Sequence, residues 1–319
     1  MKKNFILFLS VVLVFALLLS GCAKTSAPTP APTQAEGQKP VEQPAAYVNN
    51  DLLVDADWLS SNLNGLVILD ARDEKSYKKN HIPGAINVAW QPFTDMTGKK
   101  PGDKGWGTLL PADKLSDVIS KLGIDDSKTV VVYGAPPTGW AEDGRIVWTL
   151  KMAGLENVKL LNGGFAAWTA KGFSTDNAIP SPTATSFKAA ALDESLNTTT
   201  DYINQNLGKI KIIDVREAEE YNGATKYGEA RGGHLPGAIN ITWTQLLNPD
   251  GTVKSQADLE NLLSSNRINK NDEIATYCTK GIRSAHMALV LRMAGYNNTK
   301  NYDASFYEWS GNKDLKLDK

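Results

Sequence analysis

The chain repeats itself. Leu66-Val-Ile-Leu-Asp70-Ala-Arg72 leading to His81-Ile-Pro-Gly-Ala-Ile-Asn87 is answered by Ile210-Lys-Ile-Ile-Asp214-Val-Arg216 leading to His234-Leu-Pro-Gly-Ala-Ile-Asn240. Further on, Thr129–Tyr133 is answered by Glu273–Tyr277, Met152-Ala-Gly154 by Met293-Ala-Gly295, and Asn162–Trp168 by Tyr302–Trp309. Matches in one order, each copy longer than about a hundred residues, mean a duplicated domain and exclude a solenoid of short units. A length of 319 residues accommodates two such domains. Boundaries at 47–178 and 186–319 follow, with a Pro-rich linker, Ile179-Pro-Ser-Pro-Thr183, inside 179–185.

Within a copy, apolar β-rich runs alternate with helical spacing. In the first, Leu66–Asp70, Ala85–Ala89, Val130–Tyr133 and Val158–Leu161 read as strands. Pro111–Leu122 reads as a helix with proline in its first turn and Gly123 as its stop. Such alternation predicts an α/β fold, a parallel sheet with helices on both faces. Ligands of such sheets sit at the carboxyl ends of the strands.

In the second copy, one stretch at such a strand end carries chemistry. Ile274–Tyr277 reads as a buried strand and Arg283–Ala294 as a helix stopped by Gly295. Cys278, Thr279, Lys280, Gly281, Ile282 and Arg283 lie between them. A cysteine there meets curling backbone N–H groups, the positive end of a helix and two cationic side chains. All favour thiolate over thiol, so Cys278 is expected to have a lowered pKa and to be reactive. The chain has two cysteines, Cys22 and Cys278. With Cys22 modified, Cys278 has no disulfide partner and reads as a reagent rather than a staple.

The loop Cys-Thr-Lys-Gly-Ile-Arg resembles the active-site loop of the rhodanese family of sulfurtransferases. The two Asp-x-Arg and two His-x-Pro-Gly-Ala-x-Asn elements match the pattern of that family as well. The resemblance implies two tandem rhodanese-like domains and a catalytic Cys278 that carries sulfur as a persulfide. It implies a donor site made by Thr279, Lys280, Gly281, Ile282 and Arg283, and no cofactor or metal. Asp214 and Arg216 are expected to be structural, and so are His81 and His234. His286, one turn beyond Arg283, is expected at a solvated helix position. Lys280 matches thiosulfate-using members, whereas Arg283 resembles single-domain bacterial ones. Glu220 stands where two-domain members carry an arginine, and Arg231 is the expected replacement. The first copy departs from the motif: Gly134 follows its strand where Cys278 follows Tyr277, and Pro137 takes the place of the cysteine when counted back from Met-Ala-Gly. It is expected to be inactive and to help form the cleft, with Trp140 either lining it or simply packed. The implied reaction moves the outer sulfur of thiosulfate to cyanide or a thiol. Mercaptopyruvate as donor, a non-catalytic persulfide carrier, and a cysteine phosphatase are the alternatives, the last disfavoured by the short loop.

The N-terminus reads as a targeting segment. Lys2 and Lys3 precede an apolar run, Phe5–Leu19, ending in Leu19-Ser-Gly-Cys22. This is the pattern of a secretory signal, residues 1–21, closed by a bacterial lipobox with Cys22 as the lipidation site. Residues 22–46, rich in Pro, Ala, Thr and Gln, cannot build a core and read as a disordered tether. An exported, membrane-anchored lipoprotein of the bacterial cell envelope is the expectation. A net charge of −1 gives no electrostatic reason for a nucleic-acid partner; the expected partners are small sulfur donors and acceptors and the membrane.

Overall fold

The two repeats build two five-stranded, fully parallel sheets with the same topology. The computed structural model describes residues 46–319, which belong to one compact unit. The signal, Cys22 and the tether as far as residue 45 therefore lie outside the described residues. Across the first sheet the strands run Leu53–Val54, Val158–Leu161, Thr129–Tyr133, Leu66–Asp70 and Ile86–Asn87. Across the second they run Asn197–Thr198, Thr299–Tyr302, Ile274–Tyr277, Lys211–Asp214 and Ile239–Asn240. Helices cover both faces, as the alternation predicts. The edge strands Leu53–Val54 and Asn197–Thr198 are additions to the sequence reading, since a two-residue strand has no periodicity to detect. Pro111 is the N-cap of helix Ala112–Lys121, one place earlier than expected.

Each Asp-x-Arg element ties a central strand end to the turn beyond it. Asp214 accepts from Arg216 Nε and Nη2, at 2.9 and 2.6 Å, and from the Tyr277 hydroxyl at 2.6 Å. Arg216 Nη2 in turn donates to the Gly233 carbonyl, and Tyr277 accepts from the Leu235 N–H. Asp70, Arg72 and Tyr133 repeat the pattern around Asn80 and Ile82. His81 and His234 stack on Tyr77 and Tyr221 and contact backbone carbonyls, away from the cysteine loop.

The copies meet through helices Glu142–Met152 and Ile282–Met293, which pack along each other. One apolar cluster runs through this seam, taking Ile146, Trp148 and Leu150 from one side and Met287, Val290 and Leu291 from the other. This overturns the expectation for His286. One face of its helix covers its own sheet and the other meets the first copy, so His286 is only 2% exposed. Its ring nitrogens have no hydrogen-bond partner among the described residues, and burial pushes its pKa down to about 4. It fits because Gly144 faces it: a Cβ on Gly144 would lie 2.5 Å from the His286 Cβ.

Candidate active site

The loop after strand Ile274–Tyr277 turns sharply to start the helix at Ile282. Gly281 makes that turn at φ +75°, where a Cβ would lie 2.5 Å from the Asp303 carbonyl oxygen. Both the left-handed backbone and the close approach require glycine. Arg145, from the first copy, braces the turn from behind. It donates to the Gly281 carbonyl at 3.1 Å and pairs with Asp303 at 2.5 Å.

Cys278 lies at the base of this turn, 1% exposed. Burial alone would push its thiol up. Arg283, the Ser284 N–H and hydroxyl, and the Lys280 N–H outweigh that and hold its pKa below the ordinary cysteine value. The Ser284 hydroxyl is 3.7 Å from the sulfur, and Ser305 accepts the Cys278 N–H at 3.1 Å. Backbone donors, a hydroxyl and a guanidinium thus converge on one sulfur, and the thiolate they favour is the attacking form of cysteine.

Above the sulfur opens a cleft of about 420 Å³. Thr279, Lys280, Ile282 and Arg283 line it with Tyr227 and Tyr307, while Trp90, Gln91, Trp140 and Glu142 enter from the first copy. Trp140 is 46% exposed, meets Tyr227 edge-on at 5.3 Å and faces the Arg283 guanidinium at 5.2 Å. Of the two roles open to Trp140, lining the cleft or plain packing, the structure shows the first. The Lys280 ammonium sits over Trp90 at 4.6 Å, Trp106 at 5.4 Å and Tyr307 at 5.9 Å. Burial lowers the Lys280 pKa, with Cys278 opposing that shift. Burial likewise raises that of Glu142.

Two expected donor contacts come out differently. Arg231 is not in the cleft: its guanidinium donates to the carbonyls of Trp309, Ser310, Asn312 and Leu315 and clamps the C-terminal segment. Four carbonyls at a helix end offer a complete set of acceptors, which spacing along the sequence cannot reveal. Arg283 lines the cleft, but its terminal nitrogens are committed to Glu220, at 2.8 and 2.9 Å. Glu220 was visible in the sequence only as a departure from the family pattern. Trp90, Trp106, Tyr227 and Tyr307 gave no signal, because they come from separate segments joined only by the fold.

In the first copy, Gly134 stands where the second copy has Cys278, and Asp143 crowds the place of a side chain there. A Cβ on Gly134 would lie 2.7 Å from Asp143 Oδ2, so a carboxyl fills the space of the side chain. Asp143 accepts the Gly144 N–H at 2.8 Å, and burial raises its pKa to about 7.

The family description Rhodanese-like domain matches residues 55–171 and 199–312. The chain belongs to the rhodanese family of sulfurtransferases. It is 32% identical over 280 residues to the sulfur carrier protein TtuD of Thermus thermophilus, covering 82% of this chain and 95% of that one. It is 31% identical over 278 residues to a thiosulfate sulfurtransferase of Corynebacterium glutamicum, with 82% and 89% covered. Among solved structures it is similar to SseA of Escherichia coli, described as a 3-mercaptopyruvate sulfotransferase. That similarity has a TM-score of 0.70 and 26% identity over 79% of this chain and 98% of that one. Rhodanese relatives thus carry thiosulfate, mercaptopyruvate and sulfur-carrier names, and the class common to them is sulfur transfer.

Proposed function

We propose that this rhodanese moves the outer sulfur of thiosulfate to a thiophilic acceptor, cyanide or a thiol, through a persulfide on Cys278. The observation that supports this most is the convergence of Arg283 and the Ser284 and Lys280 N–H groups on the Cys278 sulfur at the floor of the cleft. The Cys278 thiolate attacks the outer sulfur; a new S–S bond forms, the S–S bond of thiosulfate breaks, and sulfite leaves with its electron pair. The persulfide anion then gives its outer sulfur to the acceptor, and the thiolate returns. The cradle that favours the thiolate favours the persulfide anion equally.

Lys280 supplies the cation for the sulfonate end of the donor, since its ammonium lies in the cleft over aromatic faces and forms no salt bridge among the described residues. A charge-assisted hydrogen bond in such a site is worth about 1.5–3 kcal/mol. Lys280→Ala is therefore expected to raise the thiosulfate KM by roughly 10–150-fold. Steady-state kinetics with thiosulfate and mercaptopyruvate check this. A preference for mercaptopyruvate, together with indifference to Lys280→Ala, overturns the choice of donor.

A persulfide carrier is the second reading, favoured by a cleft with more room than thiosulfate fills. A stable persulfide with slow turnover on small acceptors would select it.

The membrane anchor belongs to the proposal. Among the described residues no helix is long and apolar enough to cross a membrane, and the lipobox cysteine is Cys22. Cys22→Ser is expected to leave the protein without lipid and shift it out of the membrane fraction. A lipid-modified Cys22→Ser protein in that fraction refutes the assignment.

A further inference from the structure

We propose that Glu220 is a positioning residue: its carboxylate fixes the Arg283 guanidinium beside the Cys278 sulfur and leaves Lys280 as the cation that meets the donor. The inference rests on reading Cys278 as the residue that carries sulfur.

Glu220 occupies the third position of the short helix Ala218–Tyr221, where a capping box turns its side chain back onto the Glu217 N–H at 3.1 Å. It is 0% exposed. Its two oxygens take Arg283 Nη1 and Nη2, and Oε1 also accepts the Thr279 hydroxyl at 3.0 Å. Arg283 Nη2 donates to the Thr279 oxygen at 2.9 Å as well. Carboxylate, guanidinium and hydroxyl thus form a closed ring, and Trp140 lies over the guanidinium face. An arginine held by both terminal nitrogens cannot swing out to a sulfonate. Its charge instead acts on the sulfur, where it is the largest influence favouring the thiolate. Lys280, placed by aromatic faces, remains for the donor.

The other titratable groups facing this corner are Lys280 on the loop, Tyr307 on helix Ser305–Gly311, Tyr227 and Glu142 across the cleft, and Arg216 behind Glu220. None of them pairs with Arg283 among the described residues, so Glu220 is the charged group that sets the guanidinium's place, with the Thr279 oxygen as its neutral second acceptor.

The test is the pH profile of Cys278 alkylation by iodoacetamide, measured on the full chain. Glu220→Gln keeps the shape but turns one acceptor into a donor that faces Arg283, so the guanidinium loses its two-point hold. The alkylation midpoint is expected to rise by about one pH unit toward that of an ordinary cysteine. Glu220→Asp, which keeps the charge on a shorter arm, is expected to rise by about half as much. With thiosulfate, persulfide formation at pH 6 should fall roughly tenfold in Glu220→Gln, while KM moves less than about twofold. An unchanged midpoint means that Glu220 merely fills space and overturns the proposal. A lowered midpoint means that it acts only as a counter-charge, and also overturns it. If the Gln variant does not fold, the Asp variant decides alone: a raised midpoint supports the proposal and an unmoved one refutes it. Alkylation requires no sulfur donor. A chain with the expected midpoints that takes no sulfur from thiosulfate would refute the donor reading and leave the role of Glu220 standing.

Discussion

Cys278→Ser is expected to take up no sulfur from thiosulfate and to lose transfer to cyanide by on the order of 10³-fold or more. Oxygen cannot form the persulfide, and a serine hydroxyl stays protonated where the cradle only shifts a thiol toward thiolate. The fold should survive. Cys278 is almost fully enclosed, but a hydroxyl is smaller than a thiol and finds hydrogen-bond partners already present in the Ser284 N–H and hydroxyl. Intact mass after incubation with thiosulfate is the decisive measurement. The unsubstituted protein should gain the mass of one sulfur and lose it on addition of cyanide, and Cys278→Ser should do neither. Thermal melting of the variant separates loss of chemistry from loss of fold. A serine variant that melts normally and retains more than a trace of transfer would remove Cys278 from the centre of the mechanism.

The parts legible in the sequence were those carried by short-range pattern. The strand Ile274–Tyr277 and the helix that follows the cysteine loop were readable because local backbone chemistry dictates them. Asp214 and Arg216, two residues apart, could be paired in advance for the same reason. Contacts across long separations were not legible. Glu220 and Arg283 are 63 residues apart, and the aromatic faces around Lys280 come from both copies. His286 and Arg231 show the two directions of error. Helical spacing placed His286 in solvent because it knows nothing of a second helix, and family analogy placed Arg231 in the cleft because it knows nothing of the carbonyls at Trp309–Asn312. The first copy has no cysteine to read. The wall it builds, through Trp90 and Glu142, required the packing of the two domains to be seen.

That packing makes the seam sensitive to acid. His286 is neutral, enclosed and without a hydrogen-bond partner among the described residues, edge-on to Trp243 and against Gly144. Its folded-state pKa of about 4 lies below the value of about 6.5 expected in the unfolded chain. The unfolded chain therefore binds the proton first, and stability falls as the pH drops through that interval. The contribution is complete above about pH 6.5 and shrinks by about 2 kcal/mol at pH 5 and about 3 kcal/mol at pH 4, after which it levels off. Such a loss is a large part of the net stability of an ordinary domain. His286→Met fills a similar volume with a side chain that cannot titrate, so it should flatten this part of the profile. Denaturant unfolding of both proteins at pH 7.5 and pH 5 gives the comparison. The difference in stability between the two pH values should be smaller in His286→Met by about 2 kcal/mol. Equal losses in the two proteins would mean that the proton enters elsewhere, with the carboxylates as the next groups to test.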